Sequence, residues 1–167
     1  LSLRRQRQMC IRDSHSTDAY GNAFHWFRLD HPRFMSQAAT ALQGAHARLC
    51  MITAYNLKQL GEQQQELCYH FELQGVVYNI TVTLTAEHNT VPSITPLFAN
   101  ADWHEREMME LYGIRVANQP NPRRLFLDEE LDAGILNEAV PLSIMMNGAC
   151  TTDLWERILK EKEGERA

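Results

Sequence analysis

The strongest constraint on the fold is a pair of alternating segments around a glycine-containing turn. Residues 67–72 (LCYHFE) alternate apolar and polar side chains, and residues 76–84 (VVYNITVTL) do the same. Alternation with a period of two is typical of a strand with one buried face. Gln74-Gly75 between the runs offers a tight turn. The pattern therefore predicts an antiparallel hairpin whose apolar face is covered by another layer.

Further patterns predict helices and strands around this hairpin. Residues 33–49 have apolar side chains at helical spacing, and residues 48–57 favour a strand. His25-Trp26-Phe27 fits either a short strand or a docking arm, and residues 152–166 favour a final helix. The expected fold class is α+β, a single domain with a mainly antiparallel sheet covered by helices on one face and an irregular C-terminal extension.

The chain divides into three parts. Residues 1–14 (LSLRRQRQMCIRDS) share no pattern with the rest of the chain, so we treat them as an artefactual or disordered leader and set them aside. Residues 15–135 form the expected domain. Residues 136–167 form a C-terminal extension that ends in a helix. A length of 167 residues suits one domain rather than two.

Composition argues against several classes of protein. The net charge of −5 disfavours nucleic acid as a partner, because such binding needs clustered cations. No apolar run approaches the roughly 20 residues that span a bilayer, so direct membrane insertion is not expected. The four cysteines are widely separated in the sequence, which excludes a CxxC pair or an iron–sulfur ligand run from this chain; they are Cys10, Cys50, Cys68 and Cys150.

A short helix at residues 102–112 contains the densest set of charges. Asp102 can cap it together with Glu105, and Gly113 stands where a left-handed helix end is expected. At 3.6 residues per turn, Glu105 shares an apolar stripe with Met108. A carboxylate on such a stripe needs a partner, because an unpaired buried charge is costly.

The partner expected for Glu105 is an arginine. No cation lies three or four residues from it along the helix. Arg123 and Arg124 come later in the sequence, and a guanidinium matches a carboxylate in two parallel hydrogen bonds. We therefore expect one of these two residues, or another subunit, to bind Glu105. Arg106 is expected to pair with Asp102 and Glu110, and residues 123–127 fit a short strand.

Metal and hydrolase chemistry are alternatives. A zincin would need a second histidine four residues after His104, but that position is Met108. Cys68 and His70 share a strand face and could hold a metal, although structural zinc normally takes four ligands. The acids of the helix diverge instead of flanking a cleft, and no GxSxG motif is present. A free-standing protein-binding module is a further alternative.

Residues 103–114 (WHEREMMELYGI), followed by Pro122, Arg123, Arg124 and Leu125, resemble the signature of the complex I thirty-kilodalton subunit family. That family includes the C subunit of NADH:quinone oxidoreductase and the small subunit of energy-converting membrane-bound nickel–iron hydrogenases. Residues 91–98 (VPSITPLF) and the hairpin also resemble the family, so the likeness spans about residues 34–127. The departures are Gln119 for His or Lys, Glu110 for the commoner Asp, Phe126 for a smaller apolar residue, and a different tail after Asp128.

The resemblance implies that residues 15–135 are a domain like the complex I thirty-kilodalton subunit. The protein would be an accessory, non-catalytic subunit in the peripheral arm of a membrane-associated electron-transfer complex of the respiratory NADH dehydrogenase or hydrogenase type. It would bind no cofactor itself, while the parent complex would contain iron–sulfur clusters and quinone or nickel–iron. Its partners would be the large catalytic subunit, of the quinone enzyme or of the nickel–iron hydrogenase, and other peripheral-arm subunits on the cytoplasmic side of the cell membrane. The implied interface and signature residues are Trp103, Glu105, Arg106, Glu107, Glu110, Tyr112, Gly113, Pro122, Arg123 and Arg124.

Overall fold

The computed structural model describes residues 10–57, 64–85, 88–128 and 133–134. Seven strands are described: β1 (Cys10–Thr17), β2 (Ala23–Leu29), β3 (Arg48–Asn56), β4 (Gln65–Leu73), β5 (Val76–Leu84), β6 (Thr90–Pro92) and β7 (Arg115–Ala117). Two α-helices accompany them, α1 (Met35–Gly44) and α2 (Ala101–Tyr112), with a 3-10 turn at Pro32–Phe34 before α1. The strands form a five-stranded sheet in the order β1-β2-β5-β4-β3 and a two-stranded sheet of β6 and β7.

The predicted hairpin is confirmed as β4 and β5. The two strands pair antiparallel, with Tyr69 opposite Ile80. Gln74 and Gly75 both have positive φ, 53° and 80°, the combination found in tight type I′ hairpin turns. The Glu72 carboxylate accepts a hydrogen bond from the Gly75 N–H at 2.8 Å, which stabilises the turn.

The larger sheet is mainly antiparallel, as expected. The exception is β2, which pairs parallel with β5. His25-Trp26-Phe27 lies inside β2, so of the two interpretations of this segment the strand is correct. The chain passes from β2 through α1 into β3 at the edge of the sheet.

Both helices contribute to the core on one face of the sheet. Tyr69 and Phe71 on β4 are fully buried, together with Met35 of α1 and Met108 of α2. Burial of such apolar area, at about 25 cal/mol per Å², is the main stabilising contribution to a fold of this kind. The expected α+β class with helices on one face is therefore confirmed.

Polar positions on the other face of the sheet are also buried, although the alternating pattern alone would place them in solvent. Asn79 is 2% exposed, and its Oδ1 lies 2.6 Å from the His70 Nδ1. Thr81 donates its hydroxyl to the Phe27 carbonyl at 3.3 Å. Hydrogen bonding thus satisfies side chains that the sequence marks only as polar.

The first predicted helix is shorter than expected. It ends at Gly44, and β3 begins at Arg48, whereas the apolar period continues to Leu49. Leu49 is buried because it lies on β3, not because a helical face continues. The turn between them includes His46 at φ 62° and is closed by the Ala47 N–H on the Leu42 carbonyl.

Two local predictions near α2 are wrong. The helix begins at Ala101 after an Asn100 N-cap that makes no side-chain cap bond, so Asp102 lies in the first turn and Glu105 does not complete a capping box. Residues 123–127 do not form a strand; bends occupy 125–127. The short strand in this region is β7, which pairs parallel with β6. Each of these strands has three residues, which is too short for an alternating pattern to indicate a strand.

The amino end of the described chain belongs to the larger sheet. Residues 10–14, which we assigned to the leader, lie in β1 and pair antiparallel with β2. The predicted final helix at 152–166 and the extension at 136–167 lie outside the described residues. No helix among the described residues is long and apolar enough to cross a membrane.

Gly113 ends α2 in the left-handed conformation, at φ 64°. We predict that Gly113→Ala lowers the free energy of unfolding by about 1 kcal/mol, because a Cβ is disfavoured at that φ. Gly44→Ala is the matched control: a Cβ there would meet nothing within 4 Å, and alanine should raise stability by about 0.5 kcal/mol. Urea unfolding of both variants measures the difference. Equal changes for the two would contradict the assigned role of Gly113.

Candidate functional site

Glu105 occupies the centre of the candidate site. It lies on the inner face of α2, fully buried and on the same stripe as the buried Met108. Its Oε2 accepts hydrogen bonds from the Ser93 hydroxyl at 2.6 Å and the Thr95 hydroxyl at 2.9 Å, and its Oε1 accepts the Ile94 N–H at 2.6 Å. The Gln119 amide adds a donor at 3.0 Å to Oε2. Four neutral donors therefore surround the carboxylate.

The expectation that an arginine binds Glu105 is wrong. The reason is geometric: the segment after β6 wraps round the carboxylate, and its donor positions are filled by two hydroxyls, one backbone N–H and one amide. Burial raises the pKa of Glu105 above its ordinary value, and the bonds from Ser93, Ile94 and Thr95 oppose that shift. The Tyr69 hydroxyl is buried near this site, and the Glu105 charge adds to burial in raising the Tyr69 pKa.

Sequence reasoning missed Ser93, Thr95 and Gln119 as partners of Glu105. A signal was present for the first two: Pro92 and Pro96 bracket a Ser-Ile-Thr segment that cannot continue a ladder, so its hydroxyls are available for other bonds. The sequence marks Gln119 only as a departure from the family pattern. Its Oε1 also accepts the Asn121 N–H at 2.9 Å, so the amide bridges Glu105 to the following loop.

Arg106 holds the backbone of that loop. Its Nε donates to the Arg123 carbonyl at 2.8 Å, and its Nη2 donates to the Arg124 carbonyl at 2.6 Å. Its Nη1 lies 3.5 Å from the Asp102 Oδ2, which confirms the predicted pairing along the helix. Among the described residues it does not pair with Glu110, because that carboxylate binds the loop instead.

Glu110 binds the backbone of the same loop at the residues that follow Arg124. Its two oxygens accept N–H groups of three consecutive residues, Leu125 at 2.5 Å, Phe126 at 3.0 Å and Leu127. Consecutive N–H groups turned to one point form a concave site for an anion, and here the anion is the protein's own carboxylate. Residues 123–127 fail to form a strand because side chains of α2 bind both their carbonyls and their N–H groups.

The environment of Glu110 shifts its pKa in the direction opposite to that of Glu105. Burial raises the pKa, but the N–H groups of Leu125, Leu127 and Phe126, with the positive charge of Arg124, outweigh burial and hold it below the ordinary value. Two buried carboxylates five residues apart on one helix thus differ in balance: desolvation outweighs the hydrogen bonds at Glu105, whereas the hydrogen bonds and the Arg124 charge outweigh desolvation at Glu110.

The remaining signature residues lie around these anchors. Trp103 is 62% exposed and contacts the 65% exposed Phe126 edge to face, with ring centroids 6.5 Å apart. Glu107 lies on the solvent side, 4.0 Å from His104. Tyr112 packs against the core, and its carbonyl accepts the Gln65 amide at 2.9 Å. Exposed positions in the loop include Pro122 and Arg123, while Arg124 is half-buried.

The Cys68–His70 pair does not have the character of a metal site. The Cys68 Sγ lies 3.8 Å from the His70 Nδ1, so the two do share a strand face. Burial, with the nearby Glu66 charge, raises the pKa of Cys68 to about 12, which keeps it a thiol. The His70 Nδ1 and Nε2 are within 2.6 Å of Asn79 Oδ1 and 3.0 Å of Thr53 Oγ1. No group of three or more His, Cys, Asp or Glu suited to a metal occurs in the described ranges.

The sheet, α2 and the loops bound to it define an α+β domain whose conspicuous charged residues bind its own backbone. The family model described as "Respiratory-chain NADH dehydrogenase, 30 Kd subunit" matches residues 30–148. The chain therefore belongs to this family, as the resemblance of its sequence implied.

Individual relatives agree with that assignment. The NADH-quinone oxidoreductase C subunit of Azorhizobium caulinodans is 37% identical over 83 residues, which cover 49% of this chain and 39% of that protein. The NAD(P)H-quinone oxidoreductase J subunit of a Synechococcus species is 51% identical over 41 residues, which cover 25% of this chain and 23% of that protein. This chain thus spans less than half the length of these curated relatives.

Solved structures share the fold at low sequence identity. The trypsin-resistant fragment (1-134) of Nqo5 matches with a TM-score of 0.53 at 20% identity, covering 65% of this chain and 89% of that chain. A chain of the membrane-bound sulfane sulfur reductase, an archaeal respiratory membrane complex, matches with a TM-score of 0.64 at 11% identity, covering 90% of this chain and 91% of that chain.

We predict that Glu105→Ala lowers the free energy of unfolding by about 3 kcal/mol or more, because four donors, the buried Ile94 N–H and Gln119 amide and the part-buried hydroxyls of Ser93 and Thr95, lose their acceptor. Glu105→Gln should cost less, since it keeps the shape and one acceptor. A raised pKa in the folded state stabilises the protein below the ordinary pKa, and that stability is lost as pH rises through the raised value. The advantage of the parent protein over Glu105→Gln should therefore shrink as pH rises above about 4.5.

The matched control is Glu107→Gln, which removes an acid from the solvent side of the same helix. It should change the free energy of unfolding by less than about 0.5 kcal/mol. Chemical denaturation of all variants across the acid to neutral range measures these differences. A cost below about 1 kcal/mol for Glu105→Ala would show that the buried carboxylate is not an anchor.

Proposed function

We propose that this chain is an accessory, non-catalytic subunit of a membrane-associated electron-transfer complex, in its peripheral arm, where it packs on and positions the large catalytic subunit. The parent complex is of the NADH:quinone oxidoreductase or the energy-converting hydrogenase type. Membership of the 30 Kd subunit family supports a place in a respiratory complex. Of these two types, the names of the curated relatives favour the quinone oxidoreductase.

One observation carries the non-catalytic part of the proposal: the charged residues of α2 are turned to the chain's own loops. Glu105 is fully buried and bound by four donors, so it cannot reach a substrate in solution. Arg106 and Glu110 bind the carbonyls and N–H groups of residues 123–127. A general acid or base must come within hydrogen-bond reach of the atom it protonates or deprotonates, and these groups are already engaged elsewhere.

The redox groups belong, on this proposal, to the other subunits. The parent complex holds iron–sulfur clusters and either quinone or nickel–iron, and this chain holds none of them. The chain then lies on the cytoplasmic side of the cell membrane, attached through the complex. Its contribution is a fixed surface built on α2 and the loop at residues 119–127.

The direct test is affinity purification of the tagged full chain from cells that make the complex, followed by mass spectrometry of what accompanies it. We expect a large redox subunit. If that partner has two CxxC pairs for nickel, the parent is a hydrogenase; if it lacks them, the parent is the quinone enzyme. A chain that purifies as a lone monomer, with no redox subunit, would favour the free-standing binding module and contradict the proposal.

The loop arginines give a second test. We predict that Arg123→Glu impairs assembly of the complex more than folding of the chain, because Arg123 is exposed and the described contact of its side chain is from Nε to the Asn121 Oδ1 at 2.8 Å. Arg124→Glu should impair both, since Arg124 lies close enough to Glu110 to lower its pKa, and the reversed charge would repel that carboxylate.

Native-gel migration of the whole complex measures assembly, and thermal unfolding of the isolated chain measures folding. Arg33→Glu is the matched control, because Arg33 lies on the 3-10 turn before α1 and not in the loop. Unchanged migration of the complex for both loop variants would show that neither arginine contributes to the interface. Equal loss for Arg33→Glu would mean that the effect reports net charge instead of position.

A further inference from the structure

The pair of Trp103 and Phe126 is the part of α2 and its loop that the internal bonds leave in solvent. Both rings are about two-thirds exposed, 62% and 65%, and they touch each other edge to face. Large aromatic side chains are costly to leave in water, and two in contact form a continuous apolar spot. The spot lies on the outer side of the same helix whose inner side holds Glu105.

The aromatic pair is also held in a defined position. Shortly before Phe126, the carbonyls of residues 123 and 124 are bound by Arg106, and the N–H groups of Phe126 and of both its neighbours are bound by Glu110. Trp103 stands on α2, one turn before Arg106. A side chain on a backbone that is already fixed does not add the cost of ordering a loop on binding, so such a pair is suited to serve as an anchor.

The charges beside the pair indicate the chemistry of what it meets. Arg123, three residues before Phe126, is exposed, as is Asp128, two residues after it; the Glu107 side chain, one turn after Trp103, is half-exposed and lies 4.0 Å from the His104 Nδ1. Aromatic and arginine side chains are the residue types that dominate binding energy at protein interfaces. The complementary surface is an apolar pocket with a carboxylate on the side that faces Arg123.

By itself, the aromatic pair is too small to hold two copies of this chain together. Two aromatic side chains of 150–250 Å² each, about two-thirds exposed, offer roughly 250 Å² per copy. Two copies facing each other would bury roughly 500 Å², less than half of the roughly 1,200 Å² at the lower end of stable interfaces. The pair is therefore better suited to anchor a wider contact with a different protein than to join two copies of this chain.

We infer that Trp103 and Phe126 form an aromatic knob that inserts into an apolar, carboxylate-edged pocket on the large catalytic subunit. This inference rests on the proposed function and assigns the surface that carries it. The Arg106 and Glu110 bonds act as positioning contacts for the knob, and Arg123 pairs with the carboxylate at the edge of the pocket.

The test uses the full chain co-expressed with the large redox subunit that accompanies it in the affinity purification, and it measures the dissociation constant between the two proteins. We expect Trp103→Ala and Phe126→Ala each to weaken binding by at least about tenfold, with the isolated chain equally stable to heat. Trp26→Ala is the matched control, since Trp26 is 41% exposed but lies on β2; it should leave the affinity unchanged. Arg123→Lys should retain more affinity than Arg123→Glu.

The outcomes separate this inference from the proposed function. If the parent chain binds no redox subunit, the result contradicts both the proposed function and the aromatic knob. If the parent chain binds and both aromatic variants bind within twofold of it, only the knob is overturned. The knob is also overturned if Trp26→Ala weakens binding as much as Trp103→Ala. The same holds if Trp103→Ala abolishes only binding to anionic phospholipid vesicles, or only self-association in sedimentation velocity.

Discussion

The burial of one carboxylate determines the arrangement of the end of this domain. Glu105 is fully buried, and a carboxylate in that position requires donors because water cannot reach it. The donors come from the segment after β6, through Ser93 and Thr95, and from Gln119 after β7. The parallel pairing of β6 with β7 brings these two segments to the same side of α2. The carboxylate then fastens both of them to the helix.

The neighbouring pair of Arg106 and Glu110 extends the same principle to the next loop. A guanidinium accepts no hydrogen bonds and a carboxylate donates none, so the first binds the loop carbonyls and the second binds its N–H groups. These side-chain bonds position the loop without any β-sheet pairing of its backbone. Its exposed aromatic ring, Phe126, contacts Trp103 edge to face, and the two rings form an exposed apolar surface. Charges that resemble a catalytic cluster in the sequence thus bind the backbone of the loop that carries Phe126.

The parts of the fold that depend on local pattern could be predicted from the sequence. The β4–β5 hairpin and the left-handed end at Gly113 follow from alternation and from the conformational freedom of glycine. The stripe of Glu105 and Met108 follows from helical geometry. The prolines around Ser93 and Thr95 mark their hydroxyls as available, but the sequence does not assign them to Glu105, because neutral hydroxyls and an amide satisfy a carboxylate as well as the arginine that electrostatics suggests. Residues 125–127 do not form the predicted strand because their N–H groups bind the Glu110 side chain. A hydrogen bond of this kind leaves no periodic pattern in the sequence.

Glu105 and Glu110 are both buried anchors on α2, and their pKa values are shifted in opposite directions. Carbon-13 NMR titration of the glutamate side-chain carboxyl groups in the full chain tests these opposite shifts most directly, with Glu105→Gln and Glu110→Gln used to assign the signals. The pKa of Glu105 should lie above its ordinary value of 4.5 and that of Glu110 below it. Coincident midpoints near the ordinary value, as for two solvent-exposed acids, or the reverse order, would contradict the account.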